Sequence, residues 1–191
     1  MMVPTFAPKD YGPVIADLLQ EDVLAPLGPG QPNARIRPRL EALKIETAFP
    51  ANLRDQDMAR ACLAGLWLYH DFLHEAHEIS QSLHNSTGSY WHGLMHRREP
   101  DFGNAKYWFG RVGTHPVFEP LRVAAAEIAA RAGPDASARF LTAQSLWDPF
   151  AFVDLCKTCL GSQTSLEMLC RQIQQREWQL LFDYCYRQAL A

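Results

Sequence analysis

The chemistry in this chain concentrates in Tyr90-Trp91-His92-Gly93-Leu94-Met95-His96-Arg97-Arg98-Glu99-Pro100-Asp101. At 100° per residue, His92, His96 and Glu99 fall at i, i+4 and i+7 and share one stripe of a helix. Two neutral imidazoles one turn apart, with a carboxylate a turn later, supply three metal ligands and leave a coordination position open. Catalytic zinc uses such a set, and iron(II) uses a related facial one. A divalent ion held this way lowers the pKa of its bound water, so the chemistry it suggests is metal-dependent hydrolysis. On that reading His92, His96 and either His77 or Glu99 hold the ion, and Glu78, Glu99 or Asp101 acts as the base.

All seven histidines lie between His70 and His115, a distribution that suits a site. Histidines at the edge of an apolar helix face also serve simply to cap a core, and that plainer role stands beside the metal reading. The pattern is not the metalloprotease motif, because Gly93 stands where that motif has its general-base glutamate. It is not the carboxylate-bridged di-iron motif either, since no Glu-x-x-His pair occurs. Arg97, Arg98 and Lys106, with Asn104 and the ring of Trp91, form a second candidate group that could hold a small anionic or nucleotide-like ligand through guanidinium forks. Surface ion pairs with Glu99 and Asp101 are the alternative. Cys156 and Cys159 share one helix face, with Cys170 and Cys185 beyond them. That spacing matches neither a zinc ribbon nor a thioredoxin-like site, so buried thiols are expected.

These residues need helices to position them. A first helix is predicted from about Pro13 to Leu24 after an irregular stretch over 1–12, and a short one from about Pro38 to Glu46. Met58, Cys62, Leu66, Tyr69, Leu73, Ala76 and Ser80 recur at three- and four-residue steps, which predicts one long helix from an Asp55 cap to Leu83. His70, His74 and His77 then lie along its edge. A turn over residues 84–89 leads to a helix from Tyr90 to Glu99, stopped by Pro100. Further helices are expected over 105–112, 118–131 (broken by Gly133-Pro134) and 136–145. Asp148-Pro149 opens one to about Leu160, and the capping box Thr164-Ser165-Leu166-Glu167 opens the last, to about Ala189. No stretch alternates as a strand. The expected fold is all-α, a single-domain bundle of about six to eight helices over 1–191.

Net charge of -3 argues against a dedicated nucleic-acid binder. The longest uncharged apolar run, Ala61 to Tyr69, falls far short of the roughly 20 residues that cross a bilayer, and no signal pattern opens the chain. Five cysteines leave one unpaired in any complete disulfide scheme. A soluble, cytoplasmic protein in a reducing compartment is therefore expected.

The string His77-Glu78-Ile79-Ser80-Gln81, Tyr90-Trp91-His92, Met95 to Asp101, Asn104-Ala105-Lys106-Tyr107-Trp108-Phe109, Arg111-Val112-Gly113 and His115-Pro116 resembles a family of uncharacterised bacterial and fungal proteins. The resemblance brings no activity. It implies that His77, His92, His96, Arg97, Arg98, Glu99, Asp101, Asn104 and Lys106 act as one unit. Three functions follow from the sequence: a metal-dependent enzyme using zinc or iron, a binding module for a small anionic ligand, and a helical interaction protein with structural histidines.

Overall fold

The computed structural model describes residues 5–20, 23–133 and 135–191. Pro4, Glu21, Asp22 and Pro134, which the sequence reading placed in the irregular start, the first helix and a helix break, lie outside the described residues. A 3-10 turn, Pro8–Tyr11, leads into α1 (Gly12–Leu18), followed by the short α2 (Arg37–Glu41) and α3 (Ile45–Ala48). The central part comprises α4 (Gln56–Tyr69), α5 (Leu73–Gln81), α6 (Ser86–Arg98) and α7 (Phe102–Val112). Then come α8 (Phe118–Ala132), α9 (Phe140–Ala143), α10 (Pro149–Cys159) and α11 (Ser165–Leu190). Eight of these helices have seven residues or more, and no strand occurs among the described residues. The protein is an all-α bundle.

The helix starts follow local chemistry. Asp55 accepts a hydrogen bond from the Met58 amide at 3.0 Å, and Asp148 accepts from the Phe150 and Ala151 amides with Pro149 in the first turn. Thr164 caps α11 through the Glu167 amide, while the Glu167 carboxylate reaches back to the Gln163 amide. Asn85 caps α6 and Asp101 caps α7, each binding an amide three residues on.

Several expected bounds are corrected: α1 stops at Leu18 and not near Leu24, α6 starts at Ser86 inside the predicted turn, and α9 is shorter than 136–145. The predicted helix from Asp55 to Leu83 is two helices with a corner over residues 70–72. Asp71 there takes a positive φ of 63°, and its carboxylate receives the Arg98 guanidinium, whose Nε also donates to the Gly28 carbonyl at 3.0 Å. This buried ion pair fixes the corner and lets α5 turn back across α6.

Every residue of α6 from Thr87 to Arg98 is buried. The helix is wrapped by α4, α5 and α7, and its side chains reach α11. Two glycines set how closely its neighbours approach. A Cβ on Gly65 of α4 would lie 2.9 Å from the Trp91 ring, and one on Gly93 would lie 3.1 Å from Phe109 of α7. Gly93 thereby draws α7 close, with Trp108 against the histidine face.

Candidate metal site

His77 of α5 meets His92 and His96 of α6. One ring nitrogen from each of the three lies within 4.8 Å of the others. His92 and His96 stand one turn apart with rings nearly parallel, centroids 4.8 Å apart and planes 16° apart. His77 approaches both edge-on, at 4.6 and 5.2 Å. Trp108 stacks on His92 at 3.9 Å and carries the Arg111 guanidinium on its ring, 5.5 Å from the centroid.

His92 is 2% exposed, and neither of its ring nitrogens has a hydrogen-bond partner. Nδ1 of His96 is 3.3 Å from a Glu99 oxygen but outside hydrogen-bond alignment. Burial, reinforced by the neighbouring His96 and His77, pushes the His92 pKa down to about 3. Burial also lowers that of His96, although Glu99 opposes the shift. Both imidazoles are neutral at physiological pH, the form that binds metals.

The donor set fits a borderline divalent ion. Three nitrogens each roughly 2.0–2.1 Å from one ion sit about 3.3 Å apart, so the triad would have to contract. An ion lies near the plane of each imidazole it binds, and the planes of His92 and His96 run almost parallel. Coordination therefore requires one of these rings to turn about χ2, whereas His77 already crosses both planes. Glu99 lies 3.3 Å from Nδ1 of His96, leaving Nε2 as that ring's other donor; a small turn of the ring would align the hydrogen bond by which a carboxylate orients a metal-binding histidine.

The remaining candidate residues lie in different surroundings. Glu99 is the C-cap of α6, 3.3 Å from His96, and the third place of the cluster is taken by His77. Glu78 is exposed and lies 3.5 Å from His74. Asp101 caps α7, and hydrogen bonds from the Asn104 amide and then the Asn104 side chain hold its carboxyl below the ordinary range. Those bonds also commit Asn104. Trp91 is in the core with its Nε1 donating to Cys185 at 3.4 Å. Arg97, 1% exposed, is paired with the fully buried Glu177 at 2.5 Å, and Tyr90 also donates to Glu177. Arg98 holds Asp71, and Lys106 pairs with Asp154 at 2.6 Å. The other two members of the predicted α4–α5 histidine stripe separate as well: His70 Nε2 meets the Leu18 carbonyl at 2.9 Å, and His74 points outward.

A crevice lined by Leu68, Tyr69, Leu94, Arg97, Arg98 and Trp178 lies on the opposite side of α6 from the histidines, as the 100° step requires. Sequence reasoning did not mark Trp108 as the stacking partner of His92, since its place depends on the α6–α7 approach. Among the described residues, no helix is long and apolar enough to cross a membrane. No family model, curated protein or solved structure matches the chain.

Proposed function

We propose that the protein binds a divalent transition metal, zinc or iron(II), through His77, His92 and His96, and uses it for hydrolysis. The observation that carries this reading is His92, whose two ring nitrogens are buried without partners beside two more imidazoles. Leaving buried polar atoms unpaired costs about 1–3 kcal/mol, a cost that an ion in the cluster offsets. Three protein ligands leave a position for water, and the ion's role is to make that water a nucleophile near neutral pH. Glu99, whose carboxylate lies 3.3 Å from Nδ1 of His96, would serve as the proton acceptor.

Metal analysis of untagged protein under metal-replete conditions tests this. The expected result is about one ion per chain, as one closed triad requires, and its loss in His92→Ala and His96→Ala. Wild-type protein without stoichiometric metal overturns the proposal. A second reading, a binding module, is favoured by the crevice on the far side of α6, where Arg97 Nε and one Nη of the lining arginine lack partners. It predicts thermal stabilisation by inorganic phosphate or small carboxylates that survives a chelator, whereas the metal reading predicts stabilisation by divalent ions that a chelator abolishes.

A further inference from the structure

The sequence placed Cys156 and Cys159 on one helix face, and the fold brings a third thiol to them. Cys159 is the last residue of α10, and the chain then reverses through an exposed run over 160–164 into α11. Gly161 and Gln163 both take positive φ in this reversal. The turn sets Cys170 opposite Cys159, with the two sulfurs 3.6 Å apart. A disulfide bond is about 2.05 Å long, so side-chain rotation has about 1.5 Å to close.

We infer that Cys159 and Cys170 form an oxidant-reactive dithiol, whose co-reactant is a small peroxide and whose product is a Cys159–Cys170 disulfide linking α10 to α11. The Cys159 sulfur attacks one peroxide oxygen. An S–O bond forms, the O–O bond breaks, and the departing hydroxide takes up the thiol proton as water. The Cys170 sulfur then attacks the Cys159 sulfenic acid. An S–S bond forms, the S–O bond breaks, and the second oxygen leaves as water with the Cys170 proton. Two thiols lose two electrons in all, and one peroxide becomes two waters.

Position selects Cys159 as the attacking group. All five cysteines are buried, but Cys159, 2% exposed, directly borders the exposed turn, whereas Cys62 and Cys185 sit inside α4 and α11. The thiol–thiol interaction with Cys170 draws the Cys159 thiol below its ordinary pKa. Contacts with Cys156 and Cys159, together with burial, raise that of Cys170. The thiolate is the nucleophile in such steps, so the polarity of the pair matches the order proposed.

The sequence supplies a clean assay. Trypsin cleaves after Lys157 and Arg171, releasing a peptide over 158–171 that holds Cys159 and Cys170 and no other cysteine. The full chain, kept in chelator so that bound metal plays no part, is titrated with hydrogen peroxide, alkylated and digested without reductant. The expected first product is that peptide about 2 Da lighter than its reduced form and unalkylated, restored by dithiothreitol. It should form about tenfold faster than oxidation of Cys62 or Cys185. Cys159→Ser, checked for helicity and Tm, should lose this product. The inference is overturned if the peptide stays doubly alkylated while Cys62 or Cys185 oxidises, if the first bridge joins Cys156 to Cys170, or if Cys159 goes directly to sulfinic acid.

Discussion

The two sides of α6 differ in what their buried polar groups are anchored to. On one side Arg97 meets Glu177 through one Nη, with its Nε and other Nη unpartnered, Tyr90 joins the same carboxylate, and Arg98 meets Asp71 and the Gly28 carbonyl. On the other, His92 is buried with neither nitrogen bonded, and His96 has an unaligned Nδ1. The paired side connects distant parts of the chain and holds the corner at Asp71, so its polar groups are architectural. The histidine side joins α5, α6 and α7 only through ring contacts, and the two His92 nitrogens take no part in holding them.

The largest effect that tests this contrast belongs to the paired side. Glu177→Ala should cost about 3–5 kcal/mol in chemical denaturation, because it leaves the buried Arg97 guanidinium without its carboxylate. Lys106→Ala, which breaks an exposed pair with Asp154, should cost under about 1 kcal/mol. Equal losses in the two variants would remove the distinction between architectural and surface pairs.

The next effect is a pH dependence of metal-free protein. Burial pushes His115 down to about 4, and its Nδ1 accepts the Val117 amide, which demands the neutral ring. Between an ordinary value of about 6.5 and that folded value, the unfolded chain takes up a proton that the folded chain refuses. Stability should therefore fall as pH drops through this window, by on the order of 2–3 kcal/mol for His115, and level off below it. His92 acts in the same direction. Denaturation midpoints of wild type and His115→Gln from pH 7 to 4 measure the two shares, and a variant with the wild-type slope would refute the assignment.

The smallest effect is the sharpest. His92→Phe keeps a flat ring between Trp108 and His96 and removes both orphan nitrogens. Metal-free protein should gain about 1 kcal/mol while the response to divalent ions disappears. A clear loss of stability would show that His92 has partners in solution and that the two sides of α6 are alike.

Much of the helical layout could be read from local signals. Asp55, Asp148 and Thr164 cap where their side chains and following residues suggested, because a cap depends on neighbours within one turn. The corner at Asp71 was hidden, because apolar periodicity runs through it and the cause is an arginine 27 positions away. The same limit applied to the site. Counting turns brought His92 and His96 together but extended the stripe to Glu99, one residue past the end of α6. Arg97 read as an anion-holding group or a surface partner of Glu99 and Asp101, because Glu177 lies 80 positions on. His77 was among the named candidates, but its selection over Glu99 depends on the direction in which α5 returns from the corner.

The enclosure of α6 from Thr87 to Arg98 has a kinetic corollary. Its amide protons can reach solvent only when the whole bundle opens, so deuterium uptake there should track global unfolding. Helix α5 is shorter and lies outside it, and its amides should exchange through smaller openings. An ion bridging His77 to His92 and His96 would tie the lighter helix to the slowest one, and the first sign of loading would be slowed exchange in α5.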